Sequence, residues 1–331
     1  MKIIKFLKDW TLIIAIITGI AAYFVYTAIP ALQPTHHFAL KAIELLQPML
    51  IFAMLFITFC KVNPKKLRLC KWHPWLLLFQ AGTFTAIAVA LMLMPHSGLR
   101  IVLEGAMICL ICPTATAGAV ITKKLGGNVN HITTYTILIN IITAAFIPAL
   151  VPYVHPNPEL GILNSAMLIL GKVFPLLLLP LLAAILLRYF SPRLHFTISH
   201  YSDLSFYLWA VALTLAMTVT TRTIVHADVA IATELGLVAA SLISCLLQFW
   251  LGRKVGALYN DKITAGQSLG QKNTVLAIWM GYTFFTPITA VAGGFYSIWH
   301  NVINSYQLYQ HRKQEESKNE TSDGRLHPDK T

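Results

Sequence analysis

Charge is scarce in this chain. Only 11% of its 331 residues are Asp, Glu, Lys or Arg, against about a quarter in a soluble domain, so an ordinary water-facing globular protein is excluded. Cysteine is scarce too. Of five cysteines, Cys60, Cys109, Cys112 and Cys245 fall in apolar runs and Cys70 in a hydrophilic loop, which rules out a disulfide framework. Cys109 and Cys112 have redox-motif spacing, but inside an apolar run they read as small packing residues. A soluble catalytic domain is missing: the longest internal hydrophilic loop, Lys61 to Pro74, is too short to fold alone. Metal-ligand spacing is missing as well. His36, His37, His73, His96, His155, His195, His200 and His226 fall in predicted loops with no Cys or Asp at ligand spacing, so no metal site is expected. His300 reads as structural. Lys and Arg number 25 against 13 acids, yet they are scattered over short loops and form no basic face, which argues against a nucleic-acid partner.

What the chain has is apolar length. Hydrophobic residues make up 56% of it, enough for ten spans of about 20 residues. The runs lie near 10–30, 41–60, 75–94, 101–122, 132–153, 162–187, 204–223, 229–251, 263–284 and 287–309. The loops between them sort by charge. Twenty of the 25 basic residues fall on one side: Lys2, Lys5 and Lys8, the Lys61–Lys71 loop, Lys123 and Lys124, Arg188 and Arg193, Arg253, Lys254 and Lys262, and the tail. Arg100 and Arg222 fall on the other. Positive loops stay in the cytoplasm, so an even span count with both termini cytoplasmic is expected, in the plasma or bacterial inner membrane. The first run is too long for a signal peptide and reads as a retained anchor. Trp10, Tyr153, Tyr207, Trp209 and Tyr259 read as interfacial belt residues. The expected organisation is an N-terminus over 1–9, a five-span repeat over 10–154, a second over 155–309, and a disordered cytoplasmic tail over 310–331.

Eight runs read as plain helices and two do not. The fourth contains Cys112-Pro113-Thr114-Ala115-Thr116-Ala117-Gly118-Ala119, and the ninth opens Ile263-Thr264-Ala265-Gly266-Gln267-Ser268-Leu269-Gly270-Gln271-Lys272-Asn273-Thr274. Proline removes a backbone donor, and Gly, Ser and Thr let the backbone leave the helix or rebond locally. Pro113, Gly266 and Gly270 are the expected breakers. The two runs hold matching places in halves of five spans, and an odd span count inverts the second half. Paired broken helices in inverted repeats mark a transporter's binding site. Each break taken alone reads more readily as close helix packing; the matching positions favour a site.

Three segments carry a resemblance: CPTATAGAVITKKLGGN over 112–128, GQKNTVLA over 270–277 and GGFYSIWHNVINS over 293–305. In order on a ten-span frame, they resemble the bile acid:sodium symporter family over about residues 5 to 310. The resemblance implies an all-α fold of two inverted five-helix repeats, with core and panel domains and crossing broken fourth and ninth helices. It also implies alternating access, organic-anion substrates such as bile acids, steroid sulfates or small carboxylates, and sodium sites at the crossover. The chain departs from the family pattern there. Gly118 and Ala119 replace a Ser-Asn pair, Ser268 stands at an acidic position, and Ile132 replaces a hydroxyl, while Thr136 keeps one. Lys272 is an added cation. Loss of oxygen donors and gain of an ammonium predict transport that is not sodium-coupled, with a proton or no coupling ion in its place.

An intramembrane Lys is costly and marks function by default. Lys272 replaces the missing cation, binds an anionic substrate, or gives up its proton during the cycle; the plain alternative is that it snorkels to the interface. Glu44, Glu104 and Glu234 are candidate partners, each also readable as interfacial. Gln267, Ser268, Gln271, Asn273, Thr274, Thr114, Thr116, Gly118, Thr136 and Asn140 complete the candidate substrate and ion site, Asn140 being equally readable as an interhelical bond. The reading is a secondary transporter of small organic anions, without cofactor, monomeric or weakly oligomeric in the bilayer. The alternatives are a sodium-coupled symporter with altered sites, a channel or sensor, and an intramembrane enzyme, for which no nucleophile–base pair is visible.

Overall fold

The computed structural model describes residues 2–201 and 204–326; the side chains of residues 1–10, and hence the belt role expected for Trp10, lie outside the described residues, as do residues 327–331 of the expected tail. Regular structure among the described residues is helical: α1 (Lys2–Ala28), α2 (His36–Cys60), α3 (His73–Leu93), α4 (Arg100–Ile111), α5 (Gly118–Lys124), α6 (Val129–Val154), α7 (Gly161–Leu177), α8 (Leu179–Phe190), α9 (Pro192–His200), α10 (Leu204–Val225), α11 (Ile231–Ala257), α12 (Lys262–Gly270), α13 (Thr274–Phe284) and α14 (Ala290–Leu326). Five of the helical stretches are long and apolar enough to cross a membrane, and a sixth if α7 and α8 count as one bent span. Large apolar side chains such as Phe38, Leu78, Leu163 and Ile243 face outward, as they must where lipid is the solvent. The protein is an integral membrane protein.

Most of the helices meet along one apolar core. α10 packs on α1 and α2, and α2 on α8; α3 packs on α4 and α6, α11 on α4, α12 and α14, and α13 on α14. The shared core runs from Ile51 and Met54 through Phe84, Met107 and Ile147 to Leu276 and Ile278.

The expected breaks are present, with corrections. α4 stops at Ile111 because Pro113 pushes the residue before it out of helical geometry; Cys112 is extended at φ −52°, ψ 132°. The second break is Gln271–Asn273, and Gly266 is not part of it, because it lies inside α12. Its glycine serves packing instead: a Cβ there would stand 2.6 Å from the Arg253 side chain of α11. Gly270 does end α12, and a Cβ there would stand 2.4 Å from the Phe249 ring. Asn273 restarts the chain as α13, its side chain accepting from the Leu276 amide at 3.3 Å, a standard N-cap.

Two further expectations change. The sixth run is not a plain helix: α7 and α8 meet at 43°, because Pro180, near the start of α8, lacks the amide that would continue the ladder. The tail expected to be disordered from residue 310 is helical through Leu326. Extending a nucleated helix needs no new nucleus, and the Gln, Glu, Lys and Arg of this stretch are good helix formers.

Gly270→Ala is expected to destabilise the protein by about 1–3 kcal/mol, the usual cost of overpacking. Gly82→Ala, where a Cβ meets nothing within 4 Å, serves as the neutral control. Thermal unfolding in detergent checks both.

Candidate functional site

The two breaks lie against each other. Pro113–Ala115 and Gln271–Asn273 run antiparallel, with Thr114 and Lys272 as the paired residues. The Ala115 amide donates to the Gln271 carbonyl at 3.0 Å, and the Asn273 amide to the Pro113 carbonyl at 2.8 Å. Each break thereby supplies the hydrogen bonds that the other lost with its helix. The Cys112 thiol donates to the Asn273 carbonyl at 2.9 Å, so this cysteine ties the breaks together and is more than a small packing residue.

A helix end leaves four carbonyls without helical partners and carries partial negative charge. At the end of α4 these carbonyls are met by side chains. Gln80 of α3 reaches Leu110 at 2.8 Å and Cys112 at 3.3 Å, Thr143 of α6 reaches Ile111 at 3.1 Å, and Gln248 of α11 reaches Cys109 at 3.2 Å. The Lys272 ammonium joins them, donating to Leu110 at 3.3 Å. The end of α12 is treated alike: Thr114 donates to the Ser268 carbonyl at 2.6 Å and Tyr296 of α14 to that of Gly270 at 2.8 Å. Tyr135 donates to Gln80 at 2.5 Å and holds it in place.

The predicted residues are thus mostly brought together. Thr114, Gln267, Ser268, Gln271, Lys272, Asn273 and Thr274 are all buried. Lys272 is 1% exposed, which removes the snorkelling alternative. Thr136 and Asn140 are buried on α6, where Thr136 donates to the Ile132 carbonyl and Asn140 to the Thr136 carbonyl, both at 2.8 Å. Thr116 is half-buried. Gly118 is buried beside Ile132: a Cβ on Gly118 would lie 3.1 Å from the Ile132 methyl. Gln267 turns away to α14, donating to Asn304 at 3.1 Å and Gln307 at 2.9 Å.

The acidic partners expected for Lys272 lie elsewhere. Among the described residues no ion pair joins Lys272 to a carboxylate. Glu104, 1% exposed, is not interfacial but sits in a cluster of its own. It meets Arg100 at 3.0 Å, His155 at 2.8 Å and Thr289 at 3.2 Å, and Arg100 also donates to the Val154 carbonyl. Glu44 is exposed and Glu234 half-buried. His73, expected in a loop, is buried at the start of α3. Sequence reasoning missed Gln80, Tyr135, Gln248 and Tyr296. A polar residue inside an apolar run was the available signal, but their convergence on two helix ends is a property of packing.

These features define an integral membrane protein built around two interrupted helices. The profile of the Sodium Bile acid symporter family matches residues 48–230, more than half of the 331 residues, and the chain belongs to that family of membrane transporters. No curated protein matches it significantly.

Thr114→Val keeps the shape of the side chain but leaves the buried Ser268 carbonyl without its donor. A loss of about 1–3 kcal/mol is expected, measured as a lowered unfolding midpoint with the helical content unchanged.

Proposed function

We propose that the protein carries small organic anions across the membrane by alternating access, as a ten-span pair of inverted repeats, and that Lys272 supplies at the crossover the positive charge that a coupling sodium ion would otherwise bring. The observation that carries this reading is the Lys272 ammonium, buried and bonded to a carbonyl at the end of α4 without an acidic partner among the described residues. A cation is favoured at a helix C-terminus, and here it is covalently attached.

The crossover donors do not fit a sodium ion well. An ion needs oxygen ligands, and at two of the family's ligand positions Gly118 and Ile132 offer only hydrocarbon, packed against each other. A fixed ammonium nearby repels a second cation. The substrate, an anion such as a bile acid, steroid sulfate or small carboxylate, is drawn by the net positive charge of this region. Because Lys272 is sealed in the described conformation, it acts on the substrate through the field it creates or after the domains part.

Orientation follows the charge distribution. The Lys61–Lys71 loop, the start of α6 and the α11–α12 turn come together at one end, where Asn128 donates to Thr264 at 2.9 Å and Arg188 to the Val62 carbonyl at 3.2 Å. We assign this end and both termini to the cytoplasmic side of the plasma or bacterial inner membrane. No cofactor or nucleic acid takes part in this scheme, and a single chain or a weak oligomer suffices.

A second reading, sodium coupling through an altered site, is favoured by one observation. Buried oxygens of Ser268, Gln271 and Asn140 have no hydrogen-bond partner among the described residues. Uptake into proteoliposomes, measured over a panel of bile acids, steroid sulfates and small carboxylates, separates the two readings. We expect saturable uptake with counterflow and the same rate with sodium or choline outside; a steep sodium requirement overturns the proposal. Lys272→Met, close in length but uncharged, is expected to abolish uptake while the protein remains folded and monodisperse. Full activity in that variant removes Lys272 from the mechanism.

A further inference from the structure

Three residues far apart in the sequence meet at the cytoplasmic end, outside the crossover. Cys70 lies in the loop before α3, His131 in the first turn of α6, and Asp261 at the start of α12. One donor atom from each, the thiol sulfur, a ring nitrogen and a carboxylate oxygen, lies within 4.8 Å of the other two. No spacing rule finds them, because each comes from a different segment.

Several features aim these groups at one point. Asp261 occupies the N-cap position of α12 but makes no side-chain cap bond, forgoing an interaction typically worth about 1 kcal/mol. Its carboxylate instead reaches out of the helix, and Asn260 before it takes the left-handed conformation, φ 57°, that turns the chain there. Oδ2 of Asp261 accepts from the Trp72 indole at 3.1 Å and from His131 Nδ1 at 2.7 Å. Both bonds use the same oxygen, which leaves Oδ1 available. Asn128 caps α6 through the His131 amide at 3.3 Å and also contacts the His131 ring at 3.3 Å. His73 accepts from the Cys70 amide at 3.1 Å and fixes that loop. Each segment that carries a donor is thus fixed in place: Trp72 bonds the Asp261 carboxylate, Asn128 the His131 amide, and His73 the Cys70 backbone.

We propose that Cys70, His131 and Asp261 form a transition-metal site at the cytoplasmic end of the core helices, with zinc the ion that the donor set fits. A mixed sulfur, nitrogen and oxygen set selects zinc over magnesium or calcium, which take oxygen ligands. Zinc bonds of about 2.0–2.3 Å place tetrahedral donors about 3.5 Å apart, so closing from the present spread asks about an ångström of the Cys70 loop. Thiolate and carboxylate together balance the dication, with the thiol proton released on binding. Water completes the fourth position. The ion would fasten the loop before α3 to α6 and α12, and this inference is independent of the transport reading.

The test uses the full chain in detergent under reducing conditions, stripped with chelator and dialysed against zinc or cobalt. One equivalent of zinc per chain is expected, and cobalt should give the charge-transfer band of a thiolate complex. Cys70→Ser and Asp261→Asn should each weaken binding about tenfold or more, by analogy with the cost of disturbing a ligand's support, while His195→Ala, at a site remote from the cluster, should not. Alkylation of the unmutated chain keeps the test independent of whether the variants fold. The other four cysteines are buried, so Cys70 should react fastest and zinc should slow it about tenfold or more. Unchanged stoichiometry in well-folded variants, or zinc uptake that leaves the Cys70 alkylation rate as it was, overturns the proposal.

Discussion

Interrupting a helix inside a membrane strands backbone amides and carbonyls where water cannot reach them, at a cost of several kcal/mol for each unmet group. Here that cost is offset by a pairing of two interruptions. Pro113–Ala115 and Gln271–Asn273 form a miniature antiparallel ladder of two amide–carbonyl bonds, with the Cys112 thiol adding a third contact. Neither break is stable by itself, because each supplies the partner groups of the other. The rest of the protein is arranged around that constraint: α3, α6, α11 and α14 each send a polar side chain inward to meet the helix-end carbonyls that the ladder leaves over.

Lys272 belongs to this same accounting of backbone groups. Without it, the end of α4 would present partial negative charge to a dry interior. Gln80 and Lys272 both donate to the Leu110 carbonyl. Beside this helix end, Gly118 packs against the Ile132 methyl.

The two ends of the molecule are built differently. At one end, the buried Glu104 gathers the partly exposed Arg100 and His155 with Thr289 into a polar cluster that links α4, the turn after α6 and the turn before α14. At the other, the basic loops meet the Cys70, His131 and Asp261 group. Ion pairs like these, with at least one partner partly exposed, add little stability of their own. The clusters lie at the outer ends of the broken helices, Arg100 and Glu104 in the first turns of α4 and Asp261 at the start of α12.

Much of this was legible without coordinates. Composition alone required a membrane protein, because so few charges cannot solvate so much apolar surface. Pro113 marked the first break, because proline's missing amide acts locally and needs no context. Gly266 misled for the opposite reason: glycine permits either a break or a close approach, and only the neighbouring α11 decides between them. The helical tail likewise depended on a helix already nucleated beside it. What the tertiary structure alone decided is convergence. Gln80, Thr143, Gln248 and Tyr296 are scattered polar residues in the sequence and a shared cap in space, and Cys70, His131 and Asp261 share nothing until three segments fold together. Local backbone chemistry is written in neighbouring residues, whereas satisfaction of a buried polar group depends on whichever helix packs against it.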